Sequence, residues 1–83
     1  KMKKILYFSA SWCGPCKQLS PIVNNLVSEG FPITKIDVDS NPDLSTQYSI
    51  RSIPSMVVLD GNGIEVNRVN GARSSDEIKN LLN

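Results

Sequence analysis

The sequence predicts an α/β fold, a four-stranded mixed sheet flanked by helices, with elements in the order βαβαββα. Three observations carry that expectation. In the first half a strand, an amphipathic helix and a second strand follow one another, the pattern of a βαβ crossover between parallel strands. In the second half Asp60-Gly61-Asn62-Gly63 separates two apolar runs and marks a hairpin, which adds two antiparallel strands. Ser74-Ser75-Asp76-Glu77 then opens a closing helix with a capping box.

Lys3 to Ser9 reads as the first strand, because Ile5-Leu6-Tyr7-Phe8 is a continuous apolar run that suits burial on both faces. Pro15 to about Glu29 reads as a helix with Leu19, Ile22, Val23, Leu26 and Val27 on one stripe, stopped by Gly30 and Pro32. Pro21 lies inside it, removes one backbone hydrogen bond and should bend it. Ile33 to Asp39 alternates as the second strand. There Ile33, Lys35, Asp37 and Asp39 face one way and Thr34, Ile36 and Val38 the other. Asn41-Pro42 caps a short helix reaching Tyr48, which sets Leu44 and Tyr48 one turn apart. Ser55 to Leu59 and Ile64 to Val69 are the hairpin strands, and Ile78, Leu81 and Leu82 form the apolar face of the last helix. No linker, repeat or low-complexity stretch interrupts the chain, so residues 1–83 are expected to form one domain.

Nine basic and eight acidic residues give a net charge of +1, with the basic residues scattered, so no nucleic-acid partner is indicated. No apolar run approaches the roughly 20 residues of a membrane-spanning helix. Lys1-Met2-Lys3-Lys4 followed by Ile5 to Phe8 is too short for a signal peptide, and cleavage there would remove a core strand. The expectation is a cytoplasmic monomer.

Chemistry concentrates in Trp12-Cys13-Gly14-Pro15-Cys16, which holds the only two cysteines. Two intervening residues bring the sulfurs within bonding range when the first cysteine opens a helix and the second lies one turn inside it. Pro15 marks the first helical turn, so Cys13 sits at a helix N-terminus, where unpaired N–H groups and the helix dipole stabilise a thiolate. Such a setting lowers a thiol pKa from about 8.5 toward neutrality. The helix start also favours Cys13 as the solvent-exposed nucleophile and Cys16 as the buried resolving thiol. Bland readings of the pair fit less well. A structural disulfide closing so short a loop would restrain the unfolded chain little. Structural zinc wants four ligands, and the chain has two cysteines and no histidine. Two inert buried thiols at this spacing, beside glycine and proline before a helix, would be a coincidence. Cys-x-x-Cys near a βαβ unit is itself a redox signal.

Trp12-Cys13-Gly14-Pro15-Cys16-Lys17 resembles the active-site sequence of the thioredoxin family and differs from the Cys-Pro-Tyr-Cys of glutaredoxins and the Cys-Gly-His-Cys of disulfide isomerases. Lys35-Ile36-Asp37-Val38-Asp39 and Asn41-Pro42 resemble the family's second parallel strand and following turn. Tyr48 to Ser55 resembles the segment bearing its cis-proline, Pro21 its helix proline, and Gly71 the glycine beside its substrate groove. The resemblance covers nearly the whole chain. It implies a thioredoxin-like fold in a minimal form, without the strand and helix that open full-length members.

The resemblance further implies a protein-disulfide reductase working by thiol–disulfide exchange without metal or organic cofactor. Cys13 and Cys16 would be the catalytic pair, disulfide-containing proteins the targets and a thioredoxin reductase the electron donor. Trp12, Gly14, Pro15, Ile53, Pro54, Gly71 and Ala72 would bind target, with a cis Pro54 turning the Ile53 backbone toward the dithiol. Tyr7 departs from the family, which usually carries a buried aspartate there as proton acceptor for the resolving cysteine. A phenol ionises only near about pH 10 and is a poor base at neutrality. Proton removal from Cys16 would fall to water or to Lys35, with Tyr7 itself a core aromatic. Two other functions remain in view from the sequence. A glutaredoxin-like enzyme would draw electrons from glutathione, against which Gly14-Pro15 argues. A non-enzymatic subunit of a larger complex would keep its role without either cysteine.

Overall fold

A computed structural model describes residues 2–83. The elements are β1 (Lys4–Ser9), α1 (Gly14–Ser28), β2 (Ile33–Asp37), α2 (Pro42–Gln47), β3 (Ser55–Leu59), β4 (Glu65–Asn70) and α3 (Ser75–Leu81). The sheet order is β2-β1-β3-β4. β1 and β2 are parallel, with Tyr7 opposite Lys35, while β1/β3 and β3/β4 are antiparallel. The expected mixed sheet and element order are both present.

The alternation of side chains divides the core between the two sheet faces. On one face Ile5, Tyr7, Ile33, Met56 and Val58 pack with Leu19, Val23 and Leu26 of α1 and Ile78 of α3. On the other, Leu6, Phe8, Ile36, Val57 and Leu59 pack under Leu44, Tyr48, Ile50 and Ile53. Both central strands, β1 and β3, are covered on both faces, which is why their sequences are apolar without a polar alternate.

Several boundaries differ from the sequence expectation. The second strand stops at Asp37 instead of Asp39. Asp37 accepts the Asp39 N–H at 2.9 Å through its carboxylate and the Ser40 N–H at 3.2 Å through its carbonyl, which turns the chain while Val38 stays bonded to Ser9. Asn41 precedes α2 but gives no side-chain cap; its amide donates to the Asp37 carbonyl at 3.0 Å and secures that same turn. Val27 is 38% exposed, since at about 100° per residue it falls on the flank of the stripe made by Leu19, Val23 and Leu26. α1 runs through Pro21 without a break in helical assignment.

The local signals at the two turns hold. Asp60 accepts the Asn62 and Ile64 N–H groups at 2.8 and 3.0 Å, and Gly63 adopts φ 80°. Ser74 caps α3 by accepting the Glu77 N–H at 3.1 Å while Glu77 accepts the Ser74 N–H at 2.8 Å. That reciprocal bond holds the Glu77 carboxyl below its ordinary pKa, with Arg73 adding a smaller attraction.

Candidate active site

The end of β1 delivers the chain to α1 through a tight turn in which the Cys13 N–H donates to the Ala10 carbonyl at 3.2 Å. Cys13 is the N-cap of α1, with extended backbone at φ −85° and ψ 116°, and Pro15 occupies the first turn. Its Sγ accepts the Cys16 N–H at 3.2 Å, the position an N-cap oxygen usually holds. The two cysteines form a disulfide across a Cα separation of 5.2 Å. No acidic side chain lies in the first turn of α1, so the N–H groups and dipole there are free to stabilise a sulfur anion when the bond is reduced.

Exposure does not separate the two sulfurs as the sequence suggested. Cys13 is 5% exposed and Cys16 1%, so both are buried in the oxidised state. The cause is packing from distant elements: Val38 and Ile53 close over a small cluster of Ala10, Cys13 and Cys16. Position on the helix is what distinguishes them. Cys13 sits at its mouth, and Cys16 lies one turn in.

Around the disulfide, Ile53–Pro54 is a cis peptide, and the Ile53 carbonyl oxygen lies 3.9 Å from Cys13 Sγ. Among the described residues, neither the Ile53 N–H nor its carbonyl takes part in a backbone hydrogen bond. Pro54 is buried, whereas Gly14, Pro15 and Ala72 are exposed. Trp12 is 64% exposed, yet its indole N–H donates to the Asp39 carboxylate at 2.8 Å, which fixes the ring over the turn after β2. Between Trp12, Val38, Ile50, Arg51 and Ile53 lies an open cleft of about 180 Å³. Gly71, with φ 86°, donates its N–H to the Pro54 carbonyl at 2.8 Å. A side chain there would carry the strain of a left-handed backbone.

Tyr7 and Lys35 occupy neighbouring strands but different settings. Tyr7 is fully buried behind Cys16, its hydroxyl 3.1 Å from Ser20 Oγ and 3.5 Å from the Cys16 carbonyl oxygen. Lys35 is exposed, and its ammonium donates to Asn24 Oδ1 on α1 at 2.5 Å. Asp39, Ser20 and Asn24 were not singled out as site residues from sequence. Each is joined to its partner across 11 to 27 residues of chain, and no local motif announces such a pair. Among the described residues no cluster of three or more potential metal ligands occurs.

A cysteine pair at the N-terminus of the helix that follows the first parallel strand, faced by a cis-proline, defines a dithiol–disulfide oxidoreductase. The Thioredoxin family model matches residues 1–83. The chain is 39% identical over 80 residues to the thioredoxin of Chlamydia trachomatis, an alignment covering 94% of this chain and 78% of that one. It is 36% identical over 85 residues to a bifunctional thioredoxin reductase/thioredoxin of Mycobacterium leprae, covering 89% of this chain and 18% of that protein. Its fold superposes on Fasciola hepatica thioredoxin with a TM-score of 0.83 at 32% identity, over 95% of this chain and 77% of the other. The chain belongs to the thioredoxin family. It is a thioredoxin-type dithiol disulfide reductase.

Proposed function

We propose that residues 1–83 act as one domain and as a monomeric cytoplasmic electron carrier, reducing disulfides in target proteins and recharged by a thioredoxin reductase. Cys13 is the nucleophile. Its thiolate attacks one sulfur of a target disulfide, the target S–S bond breaks, and the departing target thiolate takes a proton from solvent. Cys16, deprotonated to water, then attacks Cys13 Sγ, expels the second target thiol and closes the Cys13–Cys16 bridge. Two electrons have passed to the target, and a reductase must return them. The reductase fused to the Mycobacterium leprae relative supports that choice of donor.

The observation that carries the assignment is the N-cap position of Cys13, whose sulfur already accepts the Cys16 N–H. A charged thiolate would gain from that bond and from the dipole, and Cys16 Sγ has no equivalent position. Target binding is assigned to Trp12, Gly14, Pro15, Ile53, Pro54, Gly71 and Ala72. The free Ile53 N–H and carbonyl pair with an extended target segment as one short strand. Tyr7 and Lys35 receive no proton-transfer step, since the hydroxyl of one and the ammonium of the other are engaged by Ser20 and Asn24.

Turbidimetric reduction of insulin with dithiothreitol tests the mechanism. The wild-type chain accelerates it, Cys13→Ser abolishes the acceleration, and Cys16→Ser accumulates mixed disulfides with targets. Iodoacetamide should alkylate Cys13 first in the reduced protein at neutral pH. Activity surviving in Cys13→Ser, or faster labelling of Cys16, would overturn the assignment.

A further inference from the structure

Ser55 is a buried polar side chain, 2% exposed, and it stands beside the proposed docking edge. Its hydroxyl oxygen lies 2.6 Å from the Ser52 carbonyl oxygen and 2.8 Å from Asn70 Oδ1. A hydroxyl has one proton to give. The Ser52 carbonyl only accepts, so the Ser55 proton goes there, and the group that Asn70 presents must donate. Turning the amide so that Nδ2 faces Ser55 satisfies both contacts. The β3/β4 register sets Ser55 directly opposite Asn70, and the next residue, Gly71, donates to the Pro54 carbonyl at 2.8 Å. Two cross-links therefore tie the Ser52–Ser55 loop to the end of β4, one through side chains and one through backbone.

We infer that Asn70 is a positioning residue for target binding: through Ser55 it holds the loop that presents the Ile53 backbone beside Cys13. The inference rests on the reading of Ile53 as the docking edge. Ile53 lies between Ser52 and Ser55, the two loop residues the hydroxyl joins. Without the Asn70 donor, the Ser55 hydroxyl remains bonded within its own loop, and of the two cross-links to the end of β4 only the Gly71–Pro54 backbone bond is left. The dithiol keeps its hydrogen bonds, because those of the Cys13 sulfur run to the Ile53 carbonyl and the Cys16 N–H and not to Asn70. Aspartate at 70 would preserve size but offer only acceptors, so the single Ser55 proton could not serve both neighbours.

The test uses reduced protein and an uncharged extended peptide whose cysteine carries a 2-nitro-5-thiobenzoate mixed disulfide, with release of the coloured thiolate as the signal. A second peptide is methylated on the backbone nitrogens flanking that cysteine, and the free aromatic disulfide serves as a substrate needing no strand pairing. Asn70 is exposed, so its variants are expected to fold. Asn70→Ala and Asn70→Asp should each raise KM for the unmethylated peptide about three- to tenfold, the worth of one hydrogen bond, with kcat and the rate on the free aromatic disulfide within about twofold. Ser55→Thr, which keeps the hydroxyl, should retain wild-type KM. Wild-type KM in either Asn70 variant, or an equal loss on the small disulfide, overturns the inference. If methylation leaves wild-type KM unchanged, the docking edge itself is wrong and the inference falls with it. If methylation weakens wild type but Asn70→Ala does not, only the role of Asn70 fails.

Discussion

The two faces of the sheet are built differently, and the dithiol sits where they meet. On the α1/α3 face, Leu19, Val23, Leu26, Met56, Val58 and Ile78 are all at most 1% exposed, with a fully buried Tyr7 at the centre. On the α2 face the helix is six residues long and buries none of its side chains completely. Its Leu44, with Tyr48, Ile50 and Ile53, is only partly buried against the sheet. The face with the fully buried helix residues packs against α1, which starts at the Cys13 cap, while the face with the partly buried helix borders the cleft beside Trp12.

Core truncation breaks that comparison most severely. Leu19→Ala removes a side chain buried between α1 and the sheet and should cost about 2–5 kcal/mol, a large share of the stability of a domain this size. Leu44→Ala removes a partly buried side chain and should cost about 1 kcal/mol. Urea unfolding midpoints, with matching slopes, are the measurement. Equal losses at the two positions would show that the faces are packed alike and that the asymmetry has no energetic content.

What the sequence made legible follows the same division between near and far. The Cys13–Cys16 pair, the Asp60 turn and the Ser74 capping box were readable because each is complete within five residues, as backbone geometry and a side chain acting together. The premature end of β2 was not, because the alternation through Val38 continues past the point where the Asp37 carboxylate turns the chain. Burial of Cys13 was missed for a different reason. It depends on Val38 and Ile53, which reach the disulfide only after the sheet has formed. Likewise the partners of Trp12 and Tyr7, Asp39 and Ser20, are set by strand and helix placement.

Tyr7 sharpens the comparison, because it carries a polar group within the α1/α3 face. Tyr7→Phe keeps the ring and deletes the hydroxyl that meets Ser20 and the Cys16 carbonyl, so about 1 kcal/mol of stability should be lost. Resolution of a preformed Cys13 mixed disulfide, followed in single turnover, should proceed at the wild-type rate from pH 6 to about pH 9, the range that spans ordinary thiol ionisation. A slower rate near neutrality that recovers as pH rises would mean that the hydroxyl carries the Cys16 proton after all.

The smallest effect lies at the start of α3. Accepting the Ser74 N–H favours the ionised form of Glu77, so its pKa is lower in the folded chain than in the unfolded one. The sign follows from proton counts: below the unfolded value the unfolded chain binds more protons, so the contribution is complete above that value and is lost as pH falls through the folded one. Glu65 behaves the same way through its bidentate pair with Arg68 on β4, where the ion pair lies in solvent and is screened. Glu77→Gln still accepts the Ser74 N–H but no longer titrates. Its midpoint should therefore lie slightly below wild type at neutral pH, and the difference should close as pH drops below the carboxylate range. A gap that stays constant down to acid pH would mean that the Glu77 charge contributes nothing and that the capping box acts through its hydrogen bonds alone. α3 places Ile78 in the core directly after that box, so the gap reports how firmly a charged cap at the surface is coupled to the α1/α3 face.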